Sequence, residues 1–316
     1  MSVGIERPQS VLGTGGSNAR GIVAMLAAMA FFCTGDTLIK LAGGTLPVGQ
    51  LMFMRGLVGS VLILVIARSM GALTHWPSML SRPVLWRTFC DGGATICFIT
   101  GLVVMPFANA AAIGQFTPLA VTALAALLLA EPVGWRRWLA TSVGLIGVMI
   151  IVKPGTDAFD WGALWIIASV VFVAFRDILT RKMGAGFHPV LLTTVSALGV
   201  MLTGAAQAPL ERWVWPGGDA ALIVASAAAS ALAGQYAIIH AMRAGEVSVV
   251  GPFRYSVIVF AVFSGVVVFG ERPALSTYLG ILIVVLAGIY TFHREAVRRR
   301  EADAARRAGH GAGRGA

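Results

Sequence analysis

Charged residues are scarce in this chain. Asp, Glu, Lys and Arg make up 12% of its 316 residues, whereas a soluble domain carries about a quarter. So few charges cannot coat a globular surface in water. Apolar residues make up 57% of the chain, and the mean hydropathy is +0.82. The composition therefore excludes an ordinary soluble protein and indicates an integral membrane protein.

Cysteine and targeting signals are also sparse. The three cysteines, Cys33, Cys90 and Cys97, lie in or beside apolar runs, which favours small buried side chains over a disulfide framework. The first 20 residues contain no apolar stretch, so we expect no cleavable signal peptide and predict that the first apolar segment is a retained helix. The early stretch "GTGGS" lacks the Lys-Ser/Thr of a phosphate loop and is interpreted as a flexible tail.

Motifs for catalysis are missing as well. The sequence has no H-E-x-x-H and no clustered Asp pairs or His residues, which membrane enzymes acting on lipid or isoprenoid substrates usually need. It has no nucleotide-binding motif, so ATP is not expected to be the direct energy source. We expect no enzyme, no metal and no cofactor. An integral membrane enzyme for a lipid-like substrate is the alternative, and a structural or receptor subunit is the third hypothesis.

Long apolar runs are what the chain has instead. A helix needs about 20 apolar residues to cross a bilayer, and ten segments reach or approach that length. Pro, Gly and charged residues mark the short joints between them, which leave no room for a soluble domain. The predicted fold is all-α, with ten transmembrane helices at residues 21–41, 47–67, 88–105, 107–130, 138–152, 161–180, 189–208, 219–242, 247–269 and 276–292.

Lysine and arginine predict the orientation of these helices. With ten spans both termini lie on one side, and that side carries 17 Lys and Arg residues against four on the other. The positive-inside rule therefore predicts that both termini are cytoplasmic. The basic end of the chain is interpreted as a retention signal with some contact to lipid headgroups, and not as a nucleic-acid site.

The chain repeats itself. Four blocks recur in the same order at offsets of 137 to 142 residues, among them "GDTLIKLAGG" with "RDILTRKMGA" and "GQFTPLAV" with "GPFRYSVI". Because each copy has five spans, an odd number, the second copy enters the membrane upside down. We predict a first repeat at 21–152 and a second at 161–292, cytoplasmic tails at 1–20 and 293–316, and a solute site near the midplane between the repeats.

Charged residues inside the spans are the first site candidates. An ionisable group in hydrocarbon is costly and should face a partner or a wet cavity. We predict two clusters that act as gates or, alternatively, pair helices statically. Lys40 and Arg181 are expected to reach the interface, and Glu131 and Glu271 to cap the helices that follow them. The outer cluster is Asp36 and Arg55, and the inner cluster is Asp91, Arg176, Asp177 and Arg254.

Polar and aromatic residues near the midplane form a second candidate set. Amide and phenol groups among aromatic rings suit a small organic ligand. Hydrogen bonds between helices, or plain packing, are the alternative roles of these residues. Pro118 is expected to interrupt the fourth helix and open a cavity. The candidate cavity residues are Phe32, Phe98, Gln115, Phe116, Gln235 and Tyr236.

The repeated blocks resemble a known family. The segments "MPFANAAAIGQFTPLAVTALAALLLAEPVGWRRWL" and "MRAGEVSVVGPFRYSVIVFAVFSGVVVFGERPALSTYL" are similar to the two EamA repeats of the drug/metabolite transporter superfamily. The resemblance spans about residues 20 to 293. It implies a multi-pass protein of a bacterial inner membrane that transports small organic solutes. "FRDILTR" with "AMRAGEVSVVGPFRYS" also resembles the alphaproteobacterial branch that includes riboflavin uptake proteins.

These observations predict a secondary transporter that works by alternating access. The candidate substrates are riboflavin, for uptake, and amino acids or related metabolites, for export. Coupling is open between protons, through Asp36, Asp91 or Asp177, solute exchange and the substrate gradient. Arg55 and Arg254 would either attract a carboxylate or balance the aspartates. The sequence makes no prediction about oligomeric state.

Overall fold

The computed structural model describes residues 15–69, 81–129, 135–156, 159–183 and 189–312, and that part of the chain is helical without strands. Within these residues, eight stretches are long and apolar enough to cross a membrane, and two shorter apolar helices accompany them, which confirms the predicted ten-helix fold. The helices are α1 Gly15–Ala42, α2 Val48–Ser69, α3 Arg82–Val104, α4 Phe107–Gly114, α5 Thr117–Leu129, α6 Trp135–Val152, α7 Gly162–Met183, α8 Pro189–Ala205, α9 Gly218–Ala244, α10 Val247–Val250, α11 Ser256–Phe269 and α12 Leu275–Ala312.

The fourth and ninth spans are broken. In the fourth, Gln115 and Phe116 separate α4 from α5, and in the ninth a 3-10 turn at Gly251–Tyr255 separates α10 from α11. Pro118 has no N–H to bond the Gly114 carbonyl, which accepts the Thr117 hydroxyl at 2.7 Å instead. The two breaks occupy the same position in the repeat, at "GQFTP" and "GPFRY".

The packing of the helices follows the repeat. Helix α1 packs along α9, and its counterpart α7 packs along α3 in the same way. The pairs α2 with α8 and α6 with α12 each join a helix to its own counterpart, and α4 with α11 joins the fourth span to the ninth. Exchanging the two copies therefore maps the most extensive helix pairs onto one another, as two inverted five-helix repeats require.

Small residues allow the central helices to approach closely. A Cβ added to Gly56 of α2 would lie 2.6 Å from the backbone nitrogen of Met201 in α8, and one added to Gly204 would lie 2.4 Å from that of Phe53. Such contact is the usual basis of helix association in membranes. It fixes α2 and α8 as a tight pair beside the cavity described below.

The connections define two faces of the bundle. Lys40, Met105 and Glu271 meet at one end, which we call the Glu271 face; it carries the described connecting residues 43–47, 105–106, 153–156, 159–161, 206–217 and 270–274. At the opposite end the Asn18 amide oxygen accepts the backbone N–H of Glu246. Helices α2, α7 and α9 end there, and we call it the Arg181 face.

Candidate substrate cavity

Two adjoining cavities lie inside the bundle. The central cavity, of about 340 Å³, is lined by Gln115 and Thr117 at the first helix break and by Arg254 at the second. The side cavity, of about 310 Å³, lies between α2, α8 and α9 toward the Arg181 face. Both are bordered by Phe32, Arg55, Asp91, Thr95 and Arg176, so the two cavities adjoin, with the side cavity on the side of that face.

The predicted charged residues converge on the central cavity. Five of the six line it, namely Asp36, Arg55, Asp91, Arg176 and Arg254. Members of the predicted outer and inner clusters thus share one space. The sixth, Asp177, lies beside it and binds Arg176.

Arg176 is fully engaged by carboxylates. One terminal nitrogen lies 2.8 Å from Asp91 Oδ1 on α3, and the other lies 2.9 Å from Asp177 Oδ1 on its own helix. The Arg176 Nε also donates to that Asp177 oxygen, at 3.0 Å. Because α3 and α7 pack along each other, this arrangement is the one that static pairing of helices predicts.

Three charged groups on the central cavity are not paired in this way. Asp36 and Arg55 lie within electrostatic range of each other, as do Arg254 and Asp177. Among the described residues, however, Asp36, Arg55 and Arg254 make no salt bridge and no hydrogen bond through their side chains. One carboxylate and two guanidinium groups therefore face the cavity with free hydrogen-bonding capacity.

The polar and aromatic candidates divide into two groups. Phe32, Phe98 and Gln115 line the central cavity, and Gln235 lines the side cavity. The buried Oε1 of Gln115 has no hydrogen-bond partner in the part of the chain that the structure describes. These four residues give the two cavities apolar walls and side-chain amide groups.

Phe116 and Tyr236, which the sequence also placed in the substrate cavity, do not line either of these two cavities. The ring of Phe116 packs toward Gly144 of α6. Tyr236 is 67% exposed, and its hydroxyl lies 2.9 Å from His240 Nε2. Successive helical residues point about 100° apart, so Tyr236 turns away from the cavity where its neighbour Gln235 faces it.

A cluster that the sequence did not predict lies at the Glu271 face. The Glu271 carboxylate accepts the Phe107 N–H with both oxygens, each at 2.8 Å, and Lys40 Nζ lies 3.3 Å from Glu271 Oε1. Lys40 also donates to the carbonyls of Leu102, at 3.1 Å, and Met105. Lys40 therefore does not reach for the interface, and Glu271 caps α4 instead of the helix that follows it.

This cluster lies directly over the central cavity. The Phe107 side chain is buried, lines the cavity and packs against Phe269 at a ring-centroid distance of 6.0 Å. Pro106 precedes α4 and provides no side-chain cap, so the exposed N–H groups of that helix end need an acceptor. This requirement is readable from the sequence, but the identity of the acceptor is not. The corresponding Glu131 lies outside the described residues.

Hydrogen bonds also join the start of α2 to a neighbouring connection at the Glu271 face. The Glu211 carboxylate accepts the Gly49 N–H at 3.0 Å. The Gln50 side chain donates to the Val214 carbonyl at 2.6 Å and accepts the Val214 N–H at 3.0 Å. These bonds join the start of α2 to the connection between α8 and α9, so the Glu271 face is held together at two places.

Comparison with known proteins gives a consistent result. The chain is 24% identical over 278 residues to an S-adenosylmethionine uptake transporter of Rickettsia felis, covering 87% of this chain and 93% of that one. It is 30% identical over 190 residues to a riboflavin transporter of Vibrio cholerae, covering 58% and 61%. It is 26% identical over 281 residues to the pseudopaline exporter CntI of Pseudomonas aeruginosa, covering 85% and 94%.

A solved crystal structure and a family profile complete the comparison. The crystal structure superposes with a TM-score of 0.59 at 18% identity, over 90% of this chain and 99% of its own, which supports the fold. The profile of the EamA-like transporter family matches twice, over residues 19–153 and 160–292, and each match contains one of the two helix breaks. The chain belongs to the EamA-like transporter family.

Proposed function

We propose that this protein moves a small organic metabolite across the bacterial inner membrane by alternating access, with the central cavity as its binding site. One observation carries the proposal. A cavity lined by unpaired charges lies between the broken spans of two inverted repeats. Broken helices beside a midplane cavity are where secondary transporters bind their solutes.

Alternating access requires that one end of the path is shut while the other opens. Phe107 covers the central cavity at the Glu271 face, held there by Glu271 and Lys40, and the side cavity extends toward the Arg181 face. We propose that the Lys40–Glu271 pair is the gate at the Glu271 face. Arg176, with Asp91 and Asp177, would hold α3 against α7 in both states.

The sidedness of the protein forms part of the proposal. The excess of Lys and Arg at the Arg181 face supports a cytoplasmic position for that face and for both termini. The Glu271 face would then be external. In this arrangement the conformation described here has its path directed toward the cytoplasm.

The relatives supply the candidate solutes. Their names specify S-adenosylmethionine, riboflavin and pseudopaline. For this chain the candidates are riboflavin, taken up, and amino acids or related metabolites, exported. Protons, a counter-solute or the gradient of the solute alone would drive the transport.

Uptake into proteoliposomes tests the proposal. Purified protein would be reconstituted and offered labelled riboflavin, S-adenosylmethionine and an amino-acid mixture, with and without a proton gradient. We expect at least one solute to enter faster than into protein-free liposomes. The Arg55→Gln variant should take that solute up more slowly but still measurably, whereas Arg272→Gln, which removes an exposed arginine at the Glu271 face, should keep the parent rate. Uptake equal to that of protein-free liposomes for every solute would contradict the proposal.

A further inference from the structure

We infer that Arg55, Arg254 and Asp36 bind the charged groups of the substrate, so that the central cavity selects small zwitterionic metabolites over neutral ones. The inference rests on the proposed function and names its substrate class. Arg55 and Arg254 would hold a carboxylate or similar anion, and Asp36 would hold a cationic group.

Two kinds of arginine face the same cavity. Arg176 is occupied, since two carboxylates lie within 2.9 Å of its terminal nitrogens. Arg55 and Arg254 have no such partners among the described residues. A guanidinium group presents five donors in a rigid fork that fits a carboxylate, and an unpaired charge at this depth is costly. A ligand anion would satisfy both groups.

The inverted repeat shows that the fold itself does not need these arginines. The offset of 142 that aligns residues 46–52 with 188–194 places Ala197 at the position of Arg55, and the offset of 137 places Thr117 at the position of Arg254. Both copies form corresponding spans with a break at the same position. We therefore assign the arginines a role in the cavity that they line and not in the formation of the helices.

Asp36 is free for a specific reason. Its counterpart Asp177 is neutralised by the preceding residue, Arg176, but the residue before Asp36 is Gly35. A Cβ at Gly35 would already lie 3.2 Å from the Ala227 carbonyl oxygen, so α9 leaves no room there for a long side chain. The repeated aspartate thus keeps its charge available in the first copy only.

The remaining lining residues fit such a ligand. Phe32 and Phe98 provide apolar walls, and the Gln115 carbonyl oxygen lacks a donor within the described residues. A cavity of about 340 Å³ is within the usual range for small organic molecules. Riboflavin carries no net charge on its ring and would leave all three ionic groups unpaired. An amino-acid-like metabolite would pair them.

A matched series of ligands tests the inference. Phenylalanine (zwitterion), phenylalanine amide (cation), 3-phenylpropionate (anion), S-adenosylmethionine and riboflavin would compete for uptake of whichever labelled solute the proteoliposomes take up. Zwitterions should inhibit uptake at concentrations about tenfold lower, or lower still, than ligands that lack one of the charges. This is the difference in affinity expected for the loss of one charge-assisted hydrogen bond.

Variants assign each charge. Arg55→Gln and Arg254→Gln should weaken competition by zwitterions about tenfold and leave competition by the amide unchanged. Asp36→Asn should weaken competition by zwitterions and leave competition by 3-phenylpropionate unchanged. Arg272→Gln is the control and should alter neither. The inference would be overturned if riboflavin competed better than every zwitterion, or if the variants weakened competition by all ligands equally. Either result would leave the proposed transport function intact. Uptake of no solute at all would instead refute the proposed function.

Discussion

Replacing Glu271 by Gln should open the Glu271 face more often. The carboxylate accepts the Phe107 N–H at 2.8 Å and pairs with Lys40 at 3.3 Å, and the two side chains are only 13% and 11% exposed. Glutamine keeps one acceptor for the Phe107 N–H but loses the ion pair. The pair would form only while this face is closed, so its loss biases the conformational equilibrium.

The expected size of the effect follows from the burial of the pair. Breaking a well-buried pair costs about 3–5 kcal/mol, and the retained hydrogen bond reduces that figure to about 1–3 kcal/mol. An equilibrium between two conformations would then shift by roughly 5- to 150-fold toward the state open at the Glu271 face.

A cysteine in the central cavity reports this shift. Cys33, Cys90 and Cys97 would be replaced by Ala, and Ala111, which lines the cavity below Phe107, by Cys. A membrane-impermeant maleimide added to whole cells should label Ala111→Cys at least about fivefold faster when Glu271→Gln is also present. Inverted vesicles should show the opposite change.

Two further variants decide how the result is interpreted. Arg272→Gln, next to Glu271 but exposed, should leave the labelling rate unchanged. Lys40→Gln, which removes the same ion pair from its other partner, should raise the labelling rate as Glu271→Gln does. Equal labelling of the parent and Glu271→Gln from both sides, in folded protein, would refute the role of this pair as a gate.

Two other predictions concern stability in detergent, measured by thermal unfolding. Gly56→Ala should lower the free energy of unfolding by about 1–3 kcal/mol, because its Cβ would lie 2.6 Å from the Met201 backbone, whereas Gly59→Ala meets nothing within 4 Å and should be neutral. Asp91→Asn should lower the free energy of unfolding by about 3 kcal/mol, the lower end of the range for breaking a buried ion pair, because Arg176 keeps its second carboxylate, Asp177. An unchanged melting temperature would contradict the structural role of the Asp91–Arg176 pair.

Much of the architecture could be predicted from the sequence because it depends on local composition. Apolar runs have a length that only a membrane span requires. The nearly constant offset between repeated blocks shows that the chain contains two copies of one unit. An odd number of spans then inverts the second copy. The break at Pro118 was predicted for the same kind of reason, since the missing N–H is a property of the residue itself.

Tertiary structure decided which side chains meet. The sequence placed Asp91 and Arg176 in one cluster and separated them from Asp36 and Arg55, but helix packing brings all four to one cavity. The family assignment and the transporter class agree with the prediction. The direction of a side chain depends on the rotation of its helix against its neighbours, which composition does not encode.

The Lys40–Glu271 pair is the clearest case of that difference. Each residue was visible as a charge at the end of a span, and each was expected to serve its own surroundings. Only the fold places the connection after α11 over the start of α4. The N–H groups at that helix end have no side-chain cap of their own, and the Glu271 carboxylate of the other repeat accepts one of them. Sequence thus determined the spans, their inversion and the inventory of charges. Packing between the copies determined which of those charges are paired with another side chain and which are not.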